Sequence, residues 1–179
     1  MLFTPDVEDS LRAAAELVNA DEGFFATTDA MSEFMRAWRY SGQYPRTRAE
    51  VARVGQIRPQ LRALLTAERD EAVALVNAIL AEQRAVPQLV RHDDLDWHIH
   101  AVDGDRPLHE RVLVETAMAM SDLIRSGEMS RLGICAAADC DDIVVDFSRN
   151  RSRKFCSTTC GNREAQAAYR ARQGSSFPG

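Results

Sequence analysis

Apolar residues recur at helical spacing through most of the chain, and each run predicts an element. Val7, Leu11, Ala14, Ala15 and Val18 share one face, so an amphipathic helix is expected from about Pro5 to Ala20, with Gly23 shortly after. Met31, Phe34, Met35 and Trp38 form a second stripe, from a cap at Thr28 or Asp29 to near Gly42. Methionine and aromatic side chains can line a cofactor, but this spacing is what a buried face requires, and core packing is the better reading. Thr47 and Glu50 make a capping box ahead of Val51, Val54, Ile57, Leu61, Leu64 and Leu65. Pro59 removes an amide donor inside that run and crowds the carbonyl of Gly55, which predicts a kink or two shorter helices. Asp70 to Arg84 repeats the pattern through Ala72, Leu75, Val76, Ile79 and Leu80.

From Gln88 to Val102 the period changes to two. Leu89, Leu95, Trp97, Ile99 and Ala101 alternate with polar residues around Asp93-Asp94, which predicts a β-hairpin. His98 and His100 fall on the other face of its second strand, with His92 across the turn; a metal or ligand site there competes with a plain solvated face. After Pro107, apolar residues from Leu108 to Ile124 wrap nearly the whole helical cylinder, leaving Arg111, Glu115, Asp122 and Arg125 as a polar strip. Such a helix belongs at the centre of a bundle or at a subunit interface. Gly127 ends it, and a short lead from Ser130 to Ile134 favours a following unit docked on the bundle.

All four cysteines lie in that following unit, spaced Cys135-x4-Cys140, fifteen residues, then Cys156-x3-Cys160. Two short-spaced pairs converge readily on one tetrahedral Zn2+, and four thiolates fill its coordination sphere. The metal is therefore structural, with no open position for activating water. Two disulfides are the competing arrangement, and they fit poorly with a chain that has no other secreted character. Ile143 to Phe147 suits a strand, Arg149 to Arg153 a turn and Lys154-Phe155-Cys156 a second strand, with Phe147 and Phe155 placed to cover the metal. Ser157, Thr158 or Thr159 caps a last helix whose first turn holds Cys160. The fold class expected is mainly α with small β elements. A helical domain over residues 1–130 is followed by a zinc-ribbon-like finger over 131–173 and a disordered tail over 174–179.

Charge separates the two parts. The chain has 22 basic and 27 acidic residues, net -5, yet the residues from Arg131 onward carry eight basic and five acidic side chains. Arg149, Arg151, Arg153, Lys154, Arg163, Arg170 and Arg172 face only Glu164 between Phe147 and Arg172, so a polyanion such as DNA would dock here. Some of these, Arg151, Arg153 and Arg163 first, can instead offset the negative charge of a four-thiolate zinc. No apolar run reaches the ~20 residues that span a bilayer, and the acidic start has no basic region followed by an apolar one, so a cytoplasmic chain with no membrane partner is expected. No catalytic set of Ser, His and Asp, phosphate loop or paired acid stands out, and the chain is not read as an enzyme.

The segment Cys135-Ala-Ala-Ala-Asp-Cys140, then Asp146-Phe-Ser-Arg-Asn-Arg-Ser-Arg153, then Cys160-Gly-Asn-Arg163 resembles the CGNR zinc-finger family over roughly Arg131 to Arg172. That resemblance implies a stress-related transcription regulator with an N-terminal helical ABATE domain ahead of a DNA-contacting finger. It departs from the family where Phe155 replaces a common tryptophan, and where Glu164-Ala-Gln-Ala-Ala-Tyr169 replaces a richer basic helix, so modest, salt-sensitive DNA binding is expected. A small-molecule effector and a homodimer are further partners the helical domain admits. For an effector, a cleft between bundle and hairpin lined by Trp38, Tyr40, Trp97 or His98 is the place to look. The alternative is a zinc-stabilised protein-interaction or small-ligand module without DNA contact.

Overall fold

The computed structural model describes residues 3–91 and 96–174. The expected turn at Asp93-Asp94, together with His92, Leu95 and tail residues 175–179, lies outside them. Helix α1 runs Pro5–Asn19, α2 Thr28–Ala37, α3 Arg48–Gln56, α4 Arg58–Thr66, α5 Arg69–Glu82 and α6 Leu108–Ser126. A hairpin of β1 (Gln88–Val90) and β2 (His98–His100) precedes α6. Strands β3 (Leu132–Ile134) and β4 (Ile143–Val145) and helix α7 (Thr158–Gly174) complete the chain.

The helices begin and end for local reasons. The Thr47 hydroxyl accepts from the Glu50 amide at 3.2 Å while the Glu50 carboxylate reaches back to the Thr47 amide at 3.1 Å, a cap worth about 1 kcal/mol. Pro59 separates α3 from α4 and sits in the first turn of α4, where its missing amide leaves no helical bond unmade. Gly127 closes α6 in the left-handed conformation at φ 73°, and the Glu128 amide returns to the Leu123 carbonyl at 2.9 Å. Helix α2 stops at Ala37, short of the expected end near Gly42. Gly42 lies in the loop beyond at φ 87°, where a Cβ would strike the carbonyl oxygen of Gly104. A single 3-10 turn, Glu22–Ala26, fills the connection after α1, where the sequence had indicated only a glycine break.

Helix α6 is the hub, packed against α1 and α5. Its Val112, Ala117, Met120 and Leu123 are fully buried with Leu11 and Leu17 of α1 and Met31 and Met35 of α2. The predicted faces of α3 and α4 point inward throughout: Val51, Val54, Leu61 and Leu64 are fully buried, and Ile57 and Leu65 nearly so. Arg111, expected on the polar strip of this helix, is 2% exposed. Its guanidinium donates to the carbonyls of Arg106, Ser41 and Gln43, which supply the partners a buried charge requires and tie α6 to the loop after α2.

Two strand expectations are corrected. The hairpin β1–β2 pairs antiparallel, Leu89 opposite Ile99, but Leu89, Trp97 and Ile99 are exposed while His98 is buried. Strand β4 pairs with β3, Leu132 opposite Val145, so the supposed lead into the first cysteine is a strand, while residues 154–156 form none. Ile143 and Val145 point into the main core and Val144 towards the cysteines, so β4 must lie against the bundle, and β3 is the segment that can reach its free edge. The Asn19 side chain clasps Ile143 from the end of α1, donating to its carbonyl at 2.9 Å and accepting from its amide at 2.8 Å.

Candidate functional site

The four cysteines come together from two directions. Cys135 follows β3 and Cys140 closes the turn before β4, while Cys156 and Cys160 flank the start of α7, where the Ser157 hydroxyl accepts from the Cys160 amide at 3.2 Å. All four sulfurs lie within 4.8 Å of one another, and Cys156 is 3.6 Å from both Cys140 and Cys160. A Zn–S bond of about 2.3 Å gives a tetrahedral S···S edge of about 3.8 Å. The cysteines are unbonded to each other, so the donor set and its spacing fit one structural zinc ion. Burial would push the Cys135 thiol up, but the amides of Ala137 and Cys156 and the neighbouring sulfurs bring it down to about 7. Burial pushes the Cys156 thiol well up, with Asp142 and Cys160 adding to the effect. Metal must displace protons from such a cluster, so zinc loading weakens as pH falls.

The shell around the sulfurs absorbs part of the basic segment. Arg163 pairs with Asp139 at 2.6 Å and reaches the Cys160 sulfur at 3.6 Å. Arg153 donates to the Cys156 carbonyl at 2.9 Å, and its own amide goes to Asp146 at 2.7 Å. Arg151 binds Glu128 and Ser130. These contacts hold the ligand loops in place, the usual task of groups just outside a metal's ligands. Arg149, Lys154, Arg170 and Arg172 are exposed. Phe155 packs among the cysteines as expected, whereas Phe147 turns to the bundle, edge-on to Phe3 at 5.8 Å with the Arg12 guanidinium over its ring.

Helix α7 leaves this centre with almost no support. After Cys160, every residue from Ala165 to Gln173 is exposed, including Gln166, Tyr169 and Arg170. No helix among the described residues is long and apolar enough to cross a membrane.

Trp38, Trp97 and His98 line one cleft of about 290 Å3 between the hairpin, α1 and α6, with Glu115, Asp6 and Asp122. Tyr40 is not there; it is 5% exposed in the core, stacked on Phe34 at 5.8 Å, with its hydroxyl unpartnered among the described residues. His98 hydrogen-bonds through Nδ1 to the Asp96 carbonyl at 2.8 Å and meets His100 Nε2 to Nε2 at 3.1 Å. Glu115 and Asp122 stood out in the sequence only as part of a polar strip and Asp6 not at all, because only their placement against α1 and the hairpin distinguishes them from surface acids.

A helical bundle bearing a four-thiolate zinc finger on its first helix is the class these features define. The family described as "Putative stress-induced transcription regulator", ABATE, matches residues 11–127, and the CGNR zinc finger matches residues 131–173. The chain belongs to the ABATE family and carries a CGNR finger behind the ABATE domain. No curated protein matches it.

Proposed function

We propose that the chain is a DNA-binding transcription regulator of the cytoplasm, in which the finger contacts DNA and the helical body serves as the sensor. The observation that carries this reading is the part of α7 beyond the metal centre, whose Gln166, Tyr169, Arg170 and Arg172 are exposed. An isolated helix about 10–12 Å across fits the major groove. Arg149 and Lys154 on the neighbouring loop supply phosphate contacts. The acidic body, net -8 over the first 130 residues, steers a polyanion towards this end.

Fluorescence anisotropy of a labelled duplex against the zinc-loaded protein tests the reading. Binding is expected at low salt, and with about four phosphate contacts the affinity should fall with a log-log slope near -3.6. Absence of binding at low ionic strength would refute it. The intramolecular ties of Arg151, Arg153 and Arg163, and the carboxylate of Glu164, favour a second reading in that event: zinc holds the fold and α7 docks on another protein.

A further inference from the structure

The cleft under the hairpin holds side chains whose exposure and charge the fold does not require. Leu89, Trp97 and Ile99 stay 67%, 61% and 44% exposed, although their hairpin has a bundle to pack against. They line the cleft instead. Its volume is at the lower end for small-molecule sites, and wet apolar walls at a concave surface gain stability when an occupant covers them.

The charge in the cleft is predominantly negative, with Asp6, Asp9, Glu115 and Asp122 against Arg39. Glu115 of α6 and Asp6 of α1 have no hydrogen-bond or ion-pair partner among the described residues. Asp122 has only the distant Arg125 at 3.6 Å, an arginine 82% exposed in its side chain. Asp6 repels both other carboxylates. Of the guanidinium groups near the cleft, Arg39 is held by Asp9 at 2.9 Å through Nε and by a second, shorter bond, and Arg91 lies against the Trp97 ring. A metal ion is not what the geometry favours, since the four-cysteine cluster is where three or more ligand groups come within reach among the described residues. The walls suit an organic cation. Trp97 already takes the Arg91 guanidinium over its ring at 5.4 Å, and Trp38 is fixed by an indole bond to Glu16 at 3.1 Å.

We propose that this cleft binds a small monovalent organic cation, a primary amine or quaternary ammonium with an apolar body. Its charge meets Glu115 and Asp6, and Trp38, Trp97 and Leu89 cover the body. This rests on the reading of the helical domain as the sensor and gives that sensor its ligand class.

The chain has two tryptophans and both line the cleft, so intrinsic fluorescence reports occupancy directly. The zinc-loaded full chain is titrated at pH 8, where the Glu115 carboxyl is ionised, with phenethylammonium, and in parallel with 2-phenylethanol and phenylacetate, which keep the ring but remove or reverse the charge. A saturable change with the cation is expected, at least about tenfold weaker with the other two probes. Glu115→Gln and Asp6→Asn should each weaken the cation about tenfold while leaving the circular dichroism spectrum unchanged. Equal affinity for the three probes, unchanged affinity in both variants, or no saturable change at millimolar phenethylammonium would each overturn the proposal. Duplex anisotropy on the same samples separates the two readings. DNA binding without cation binding defeats only the cleft, and cation binding without DNA binding defeats only the regulator.

Discussion

Arg111 and Glu115 stand one turn apart on α6 and meet opposite fates. The guanidinium is enclosed by three carbonyls, while the carboxylate opens on the cleft with no hydrogen-bond or ion-pair partner among the described residues. Burial pushes the Glu115 carboxyl up from 4.5 to about 7; Arg111 opposes the shift and Asp6 adds to it. Between those two values the folded chain holds a proton that the unfolded chain has released, so stability falls as pH rises through the window. Glu115→Gln, which cannot ionise, should therefore melt higher than the parent at pH 8, by about 1–2 kcal/mol after allowing for its partial exposure, or several degrees. The gain should vanish towards pH 4.5, and a pH-independent difference in thermal unfolding would show that charge is not the cause. Helical periodicity placed both residues on one polar strip. It could not reveal that the loop at Ser41 and Gln43 would close over one of them and leave the other facing a cleft.

At the level of elements, what the sequence disclosed depended on how local the cause was. The capping box at Thr47, the break at Pro59 and the inward faces of α1 to α6 follow from residues within a few positions of each other and were readable, whereas α2 is capped by Thr27, whose hydroxyl accepts from the Ala30 amide at 3.2 Å, and not by Thr28 or Asp29 as expected. The hairpin was readable as a hairpin, but alternation says which residues share a face and not which face is covered, so Leu89 and His98 came out reversed. In the finger, Val144 and Ile143 fit either of two partner strands, and only the bundle beneath them selects β3. The basic residues show the same limit, because composition cannot separate an arginine spent on Asp139 from one left in solvent. Their separation predicts two phenotypes. Arg153→Ala and Arg163→Ala should speed zinc release to a chromogenic chelator, whereas Arg149→Ala, Lys154→Ala and Arg170→Ala should retain zinc and each reduce the salt slope of DNA binding by about 1. Zinc loss in the second group would mean that these side chains also belong to the metal's surroundings.

For the molecule as a whole, the finger is continuous with the bundle. Ile143 and Val145 belong to the main core, Asn19 at the end of α1 clasps the backbone of Ile143, and Arg62 of α4 reaches the Asp141 carbonyl at 2.7 Å. Stripping zinc should therefore lower the melting temperature of the whole chain, by roughly 5 °C or more, and not merely unfold its last third. Circular dichroism at 222 nm with and without chelator would check this, and an unchanged helical transition would mean that the bundle is indifferent to the finger. Helix α7 is the exception to this continuity, since Ala165 to Gln173 are all exposed and bury no side chain against the bundle. A lone helix of that length is marginal in water, and its foundation is the turn that carries Cys160. Trypsin, which cuts after arginine, would then find Arg163, Arg170 and Arg172 on a segment whose shape is lent by the ion, and the rate of C-terminal clipping would serve as a gauge of metal occupancy in a cell extract.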